Sequence, residues 1–425
     1  MMRGRTPFSV AVDARPENPS SPLHRKRWGI VALLFSAAFI NYLDRSTIGL
    51  ALPAIAHDFH LRPIDKGTLL SSFFWSYTLM QIPVGLAIDR LNPRALFATL
   101  FALWSLACGL TGIAQTLELL ITTRIVLGIG ESIYLPGATT IVSRLFSPAE
   151  RGFPSGLFNS GARAGLAIGG PLIGWLILRC GWRDMFLLVG LAGLGWLVPW
   201  LIVFPRSLPA EHILSSESSL RSARRSALTV NRNLLGICVG FFCLDYYAFL
   251  FLTWLPDYLV EVRHFSLLSV GGLIAIPYML FGASEPLGGW ISDYLIRKGY
   301  DETRTRKAII AIAFMAALLI IPAVLVKDQT LAIVFIAATS LIGLSTANVT
   351  VILQSCAPPS QIGLWTGIEN CAGNLGGALA PILMGILIAK TNSYTPGFIV
   401  ACMMMVIGIF AYVFIVGKLK PISRN

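Results

Sequence analysis

Apolar segments of about twenty residues recur along the whole chain, and this spacing most constrains the possible fold. Of the 425 residues, 55% are hydrophobic and only 13% are charged, whereas an average soluble domain has roughly 25% charged residues. A helix needs about 20 apolar residues to cross the hydrocarbon core of a bilayer. We therefore predict an all-α membrane protein that crosses the bilayer several times.

Charged residues and turn signals divide the apolar sequence into twelve predicted transmembrane spans. These cover residues 28–54, 67–88, 95–115, 118–141, 152–178, 183–204, 233–260, 267–295, 307–326, 330–355, 360–389 and 394–417. The polar, Ser-rich and basic segment between the sixth and seventh spans is typical of a linker. The predicted order is a tail (1–27), a six-helix bundle (28–204), a cytoplasmic linker (205–232), a second six-helix bundle (233–417) and a tail (418–425).

Lysine and arginine are distributed unevenly between the two sides of the predicted bundle. The two tails and the loops on their side hold 23 of the 33 Lys and Arg residues, and the opposite loops hold 7. Cytoplasmic loops of membrane proteins are enriched in these residues. We therefore expect both termini in the cytoplasm and the chain in the cell (inner) membrane. The net charge of +12 is explained in the same way, so no nucleic-acid partner is expected.

The two predicted halves resemble each other. The segment "GLAIDRLNPR" (85–94) follows the second span and "GGWISDYLIRKG" (288–299) closes the eighth, so that Gly85 and Asp89 match Gly289 and Asp293 at one offset. A second echo relates "GLFNSGARAG" (156–165) to "GIENCAGNLGG" (367–377). Two six-helix repeats joined by a central loop are a transporter architecture, with the substrate site near the midplane between the halves.

Ionisable side chains inside the predicted spans are the strongest candidates for function. A charge at mid-bilayer costs at least about 2.5–3.5 kcal/mol on insertion scales, and such residues are functional by default. The segment "NYLDRSTIGLALP" (41–53) places two of them side by side. The eight residues of this kind are Asp44, Arg45, Arg124, Glu131, Arg163, Asp245, Glu285 and Glu369.

Helical geometry indicates which of these side chains can meet. At about 1.5 Å per residue, Asp44, Arg45 and Arg124 share a level in the outer half of the membrane, so an Asp44–Arg124 pair is feasible. Glu131 projects from the same face as Arg124, about 10 Å deeper. Asp44 and Arg45 differ by about 100° around their helix, which indicates separate tasks.

Two interpretations of these charges remain open. In the first, Arg45 faces a cavity and binds an anionic substrate, while Asp44 gains and loses a proton beside Arg124. A carboxyl group buried without a partner keeps its proton, and one paired with arginine loses it. In the second, the residues form a static ion-pair network that bridges the first and fourth spans.

Several motifs resemble the major facilitator superfamily, and more specifically its anion:cation symporter family, which includes bacterial galactonate and hexuronate transporters and sialin. The superfamily signature G-x-x-x-D-R follows the second span, with a weaker copy after the eighth. The more specific resemblance is carried by "NYLDRSTIGLALPAI", "SYTLMQIPVGLAIDR", "TRIVLGIGESIYLPG", "FLTWLPDYL" and "GGALAPILMG". It extends over residues 28–417.

This resemblance implies proton-coupled import of an organic anion, most specifically a sugar acid such as a hexonate, hexuronate or glucarate, by alternating access. It implies that Asp44 and Glu131 carry protons, with Arg124 as a partner. Arg45 would bind the substrate carboxylate, because its planar fork fits two oxygens. Tyr77 and Asn370 would bind hydroxyl groups. A monomer driven by the proton gradient, without a cofactor, is expected.

The chain also departs from the sugar-acid pattern. Ala162 stands where the galactonate type carries a glutamine, and Arg163, Asp245 and Glu369 are additional charges. Arg163 is expected to pair across the cavity with Asp245 or Glu369 as a gating ion pair, or to meet a second substrate carboxylate. Glu285 is interpreted as a cytoplasmic gate or loop anchor.

The signature residues at the helix ends suggest a gate. Asp89, Arg90 and Asp293 are interpreted as a lock that binds the neighbouring helix in one conformation and releases it in the other. Simple helix-end capping is the alternative.

Other classes of function have less support in the sequence. It has no Gly-rich phosphate loop for ATP and no hydrolase motif, so an enzyme is not expected. Within transport, the alternatives are an aromatic or dicarboxylic acid as substrate, or a proton-antiporting exporter. A non-transporting sensor on the same fold is the alternative from another class.

Overall fold

The computed structural model describes residues 22–61, 63–206, 231–265 and 267–419, and every regular element in these ranges is helical. The first half contains α1 (Pro22–Asp58), α2 (Pro63–Arg90), α3 (Pro93–Thr111), α4 (Leu117–Glu131), α5 (Tyr134–Leu145) and α6 (Gly152–Val203). The second half contains α7 (Arg232–Glu261), α8 (Leu267–Arg297), α9 (Glu302–Ala317), α10 (Ile320–Leu325), α11 (Gln329–Thr339), α12 (Leu344–Cys356), α13 (Ile362–Thr391) and α14 (Thr395–Phe410). Short 3₁₀ turns at Pro148–Glu150 and Ser340–Gly343 and a π-helical turn at Ala411–Ile415 complete the order.

Polar caps and one glycine determine where several helices begin and end. Asn92, Asn231 and Asp301 each accept a hydrogen bond from the backbone N–H three residues later, which satisfies a donor that the first turn leaves free. Gly181 has φ +80° and breaks α6 into two helices. Glycine adopts this conformation without steric cost, and the break lies where the sequence predicts the turn between the fifth and sixth spans.

The predicted fold class is confirmed. Within the described ranges, eight helices are long and apolar enough to cross a membrane, and one of them is α6, which contains two predicted spans. Helices α1, α2 and α8 occupy the positions of the first, second and eighth spans. Helices therefore stand at all twelve predicted positions, in two six-helix halves.

The predicted tails and linker fall largely outside the described residues, so their limits stay a prediction. Residues 1–21, 207–230 and 420–425 are among those not described. Helix α1 begins at Pro22, so the end of the segment predicted as a disordered N-terminal tail is helical.

Each half has its own buried core. In the first half, the core includes the large aromatic side chains of Phe97, Trp104 and Trp200, and in the second half those of Phe314 and Tyr412. Large apolar side chains elsewhere are exposed, including Leu178, Ile202 and Trp75. Apolar residues on the outside and polar residues inside are expected of a bundle that lipid surrounds.

Both signature aspartates bind the start of a helix in the opposite half. Asp89 accepts hydrogen bonds from the backbone N–H groups of Gly363 (2.8 Å) and Leu364 (2.9 Å), at the start of α13. A carboxylate is favoured there by the free N–H groups and the helix dipole. We call the end of the bundle that carries Asp89 and Asp293 the motif end.

Asp293 repeats this arrangement in the other direction. It accepts hydrogen bonds from the N–H groups of Gly152 (3.2 Å) and Phe153 (2.9 Å), at the start of α6. Arg306 also donates to Asp293, at 3.1 Å, and to the carbonyl oxygen of Pro148 in the first half. The sequence repeat is therefore a structural repeat, and both copies join the two halves.

Glycines allow this close contact at the motif end. A Cβ atom on Gly85 would lie 2.3 Å from the carbonyl oxygen of Gly363, and one on Gly289 would lie 2.1 Å from that of Gly152. Among the described residues, every hydrogen bond between the halves lies at the motif end or near mid-depth. The structure is thus a conformation closed at the motif end.

Replacing Gly85 by alanine is expected to open the motif end. The new methyl group would meet backbone, which cannot rotate away, and overpacking of this kind costs about 1–3 kcal/mol, equivalent to a shift of about 5–150-fold in a two-state equilibrium. Distances between spin labels on bioorthogonal residues at Leu91 and Lys298 would measure the change. Gly174→Ala is the control, because a Cβ atom there meets nothing within 4 Å. An unchanged distance distribution in Gly85→Ala would contradict this account.

Candidate functional site

A cavity of about 410 Å³ lies between the two halves, a volume within the range of about 300–1,000 Å³ for small-molecule sites. Side chains from both halves line it. Eight of the residues that the sequence singles out are among them: Arg45, Tyr77, Arg124, Arg163, Asp245, Glu285, Glu369 and Asn370. Asp44 and Glu131 lie behind the wall and are buried.

Arg45 lies at the cavity surface, where one carboxylate and three aromatic rings surround its guanidinium group. Its Nε donates to Oε2 of Glu131 at 2.9 Å, and its guanidinium carbon lies 4.6–5.2 Å from the ring centres of Tyr42, Phe73 and Tyr77. Aromatic faces attract a desolvated guanidinium. Glu131 accepts from Nε, and the Arg45 side chain is 18% exposed at the cavity, where a ligand can reach it.

The predicted ion pair between Asp44 and Arg124 does not form in this conformation. Asp44 lies against Cys108, whose Sγ is 3.9 Å from its Oδ1, whereas Arg124 donates to Oγ1 of Thr111 at 3.4 Å. Both contacts are on α3, almost one turn apart, and no salt bridge joins Asp44 and Arg124, both of which are described. Arg45 reaches Glu131 instead, so the ion pair that joins the first and fourth spans in this conformation is Arg45–Glu131.

Tyr77 and Asn370 meet across the interface between the halves. Asn370 Nδ2 donates to the Tyr77 hydroxyl at 3.0 Å, and both residues are at least nine-tenths buried. The sequence pointed to each residue separately, as a ligand for hydroxyl groups. The structure brings them together at the cavity wall, where a polar ligand could replace their mutual hydrogen bond with hydrogen bonds to itself.

Arg163 forms an ion pair between the halves, but with a different partner from those predicted. Its Nε lies 3.6 Å from Oε1 of Glu285, and its guanidinium carbon lies 4.1 Å from the ring centre of Phe281. The expected partners were Asp245 or Glu369. Glu285 was expected near the cytoplasmic loop, but it lines the cavity instead because α8 turns this position toward α6.

Asp245 and Glu369 lie on the wall that the second half contributes. In the described part of the chain, no hydrogen bond or salt bridge ends on either side chain, and Oε1 of Glu369 is buried without a partner. Among the predicted gating residues, Asp89 and Asp293 hold the motif end as described above. Arg90 is exposed there and has no hydrogen bond or salt bridge in the described ranges.

The sequence did not assign several other polar residues to the cavity, among them Asn41, Asn159, Thr350 and Asn374. Asn159 donates to Thr350 Oγ1 in the other half at 3.4 Å, and Asn374 lies one turn beyond Asn370. Asn41 lies one turn before Arg45 on α1 and also lines the cavity. Spacing of four residues from a recognised site residue is the signal that could have found Asn41 and Asn374.

The charges of the cavity suit reversible binding of an anion. Two guanidinium groups, those of Arg45 and Arg163, are each held by one glutamate and are each partly exposed to the cavity. A ligand carboxylate can replace a glutamate if that glutamate takes up a proton. In the described ranges, no group of three or more His, Cys, Asp or Glu side chains has the arrangement of a metal site.

Comparison with known proteins agrees with this architecture. A sequence model of the Major Facilitator Superfamily matches residues 34–363. A "Probable L-galactonate transporter" of Escherichia coli (strain K12) is 31% identical over 93% of this chain and 91% of its own length. A "Probable galactarate/D-glucarate transporter GudP" of Bacillus subtilis (strain 168) is 28% identical over 93% of each chain. The crystal structure of the transporter FucP superposes with a TM-score of 0.71 and 14% identity, over 92% of this chain and 99% of that one.

Proposed function

The chain belongs to the major facilitator superfamily, and on that premise we propose that it imports an organic anion together with protons. The proposed substrate is a sugar acid such as a hexonate, hexuronate or glucarate. The names of the galactonate and galactarate/D-glucarate transporters that resemble it over more than nine-tenths of their length support this class.

The observation that carries the proposal is the pairing of Arg45 with Glu131 at the cavity wall. Nε of Arg45 is engaged at 2.9 Å, while the Arg45 side chain lines a cavity between the halves. A guanidinium binds a carboxylate best through two parallel hydrogen bonds. In the proposed scheme, the substrate carboxylate binds Arg45 while Glu131 is protonated and does not compete.

Proton coupling follows from this competition. Glu131 is fully buried, and its other oxygen has no hydrogen-bond partner among the described residues. Ionised Glu131 would hold Arg45 when the site is empty, and protonated Glu131 would release it. Asp44, also buried, is proposed as the second proton carrier of this half. Arg124 is its proposed partner in the conformation that opens at the motif end.

The proposed orientation places the motif end in the cytoplasm, as the distribution of lysine and arginine suggests. The conformation closed at the motif end is then the outward-facing one, which receives substrate and protons from outside. Release of Asp89 from α13 and of Asp293 from α6 would open the path to the cytoplasm. Arg90 is proposed to contribute to the gate in that open state.

A dicarboxylic acid is the second candidate substrate, and Arg163 is the observation that favours it. Its guanidinium also lies at the cavity, held by Glu285 at 3.6 Å. A substrate with two carboxylates could bind Arg45 with one and Arg163 with the other. A monocarboxylate would leave the Arg163–Glu285 pair in place as an ion pair between the halves.

Uptake into proteoliposomes under an inward proton gradient tests these proposals. The panel is galactonate, glucuronate, glucarate, benzoate and a short dicarboxylate. Gradient-dependent uptake of galactonate, glucuronate or glucarate supports a sugar acid, and uptake confined to the short dicarboxylate supports the second candidate. Uptake confined to benzoate or the short dicarboxylate would contradict the sugar-acid assignment. Efflux without uptake would favour an exporter.

Tyr77→Phe is expected to weaken binding of a sugar acid without abolishing transport. The variant removes one hydroxyl that Asn370 contacts at 3.0 Å, and a neutral hydrogen bond contributes about 0.5–1.5 kcal/mol, equivalent to a rise in KM of up to about tenfold. Concentration-dependent uptake measures KM directly. Tyr300→Phe is the control, since Tyr300 is 62% exposed. An unchanged KM would remove Tyr77 from the substrate site.

A further inference from the structure

We propose that Asp245 and Glu369 form a second proton-binding site, in the second half of the protein and separate from Asp44 and Glu131. The transport arm of its test rests on the function proposed above, whereas the spectroscopic arm does not. The function proposed above gives neither of these two carboxyl groups a role.

The two carboxyl groups lie close together. A Cβ atom on Gly373 would lie 2.4 Å from Oδ2 of Asp245, so the Asp245 carboxyl group rests against the backbone of α13 at that residue. Glu369 stands four residues earlier on the same helix, which is about one turn, or roughly 5.4 Å, along its axis. Both residues line the cavity.

Among the described residues, no cation or hydrogen-bond donor stabilises a negative charge on Glu369. The residue is only 3% exposed, and its Oε1 has no hydrogen-bond partner in that part of the chain. The titratable groups that act on it from the packed helices are Asp245, Cys238 and Tyr412, which bring no positive charge. An isolated buried carboxylate is expensive, and the group binds a proton instead.

Asp245 has one cation in its surroundings, but that cation is engaged elsewhere. Arg163 acts on Asp245 from the first half, yet its Nε lies 3.6 Å from Glu285. Asp245 and Glu285 of the second half therefore share one guanidinium group, and no cation acts on Glu369 among the described residues. This wall cannot hold all three carboxyl groups as anions, so the Asp245–Glu369 pair keeps at least one proton in the conformation closed at the motif end.

The location of Arg163 couples this proton to the conformational change. Arg163 belongs to the first half, and its pairing partners belong to the second, so relative movement of the halves changes which carboxylate it contacts. When Arg163 moves from Glu285 toward Asp245, the carboxyl O–H bond of the Asp245–Glu369 pair breaks and the proton passes to water in the cavity. The site thus loads a proton in one conformation and releases it in the other.

Infrared difference spectroscopy on the full chain in lipid tests the site without any substrate. Spectra are compared between about pH 5.5 and pH 9, a range in which ordinary exposed carboxyl groups stay ionised. We expect Glu369→Gln to lose one component of the C=O band of protonated carboxyl groups, and Asp245→Asn to lose or shift it. Glu261→Gln, which changes an exposed carboxyl group at the end of α7, is expected to match the wild type.

The transport arm measures accumulation of radiolabelled galactonate, glucuronate or glucarate, whichever the wild type takes up, against an imposed pH gradient at zero membrane potential. Loss of one coupled proton lowers the accumulation ratio about tenfold per pH unit of gradient, and we expect this loss in Glu369→Gln. If the wild type accumulates none of these three acids, the proposed function fails, and the infrared spectra still decide the site.

Two results would overturn the assignment. One is an infrared difference spectrum that stays the same in Glu369→Gln, in Asp245→Asn and in the double variant. The other is a change in the carboxyl band on replacing sodium by choline at constant pH, which would make this a site for a metal cation. Gly373→Ala displaces the Asp245 carboxyl group without removing a titratable group, and we expect it to shift the same band.

Discussion

Replacing Arg45 by alanine is expected to reduce uptake of the transported anion to the level of empty liposomes. The variant removes the guanidinium that faces the cavity and leaves Glu131 buried without its partner at 2.9 Å. Truncating one member of a buried, hydrogen-bonded charge pair costs about 2–5 kcal/mol in binding, equivalent to a loss of affinity of at least about thirtyfold. Binding to the purified protein by isothermal titration calorimetry and uptake into proteoliposomes both measure the loss.

Arg45→Lys separates the charge of Arg45 from its geometry. Lysine keeps the positive charge but cannot form the two parallel bonds of the guanidinium fork, so we expect an intermediate affinity and slow uptake. Arg206→Ala, which changes an exposed arginine outside the cavity, controls for the loss of a positive charge. Uptake by Arg45→Ala within a few-fold of the wild type, in a variant that remains folded, would refute the assignment of Arg45 as the carboxylate ligand.

Glu131→Gln is expected to uncouple transport from the proton gradient while preserving exchange. Glutamine imitates the protonated glutamate, so Arg45 stays free for substrate at every pH. We expect labelled substrate to exchange across the membrane at a rate within a few-fold of the wild type. The accumulation ratio is expected to fall about tenfold per pH unit of gradient, because substrate binding no longer depends on the proton of Glu131. Counterflow and gradient-driven uptake in the same proteoliposomes distinguish the two activities.

Glu118→Gln is the matched control, since it changes an exposed glutamate at the start of the same helix, α4. We expect it to accumulate substrate like the wild type. If Glu131→Gln also did so, Glu131 would have no part in proton coupling. Loss of both exchange and accumulation in a folded protein would instead assign Glu131 to substrate binding.

The fold was predictable because backbone hydrogen bonds inside a bilayer must be made within each helix. Apolar segments therefore report helices directly, and the break between the fifth and sixth spans was correctly placed around Gly181. The matching residues Gly85 and Gly289 revealed the repeat between the halves. Their close contacts with Gly363 and Gly152 show that both copies of the repeat lie where the two halves meet.

The members of the candidate site were more predictable than their contacts. Arg45 and Arg163 stood out as charges in apolar sequence, and both reach the cavity. The partner of Arg163 was predicted wrongly and none was named for Arg45, because a depth estimate along straight helices ignores tilt and the length of the arginine side chain. The repeat offered a signal for Glu285 that was not used: it matches Gln81 at the same offset as Asp89 and Asp293, and Gln81 is completely buried.

The sequence by itself determined that this chain forms helices, that it has two related halves and that it places charges inside them. These properties depend on composition and on periodicity along one helix, which are local. Only the tertiary structure decided that Arg45 meets Glu131, that Arg163 meets Glu285 and that Asp245 lies beside Glu369 without a cation of its own. Such pairings depend on how helices cross and rotate by less than one turn, because an ion pair forms or fails within about 4 Å.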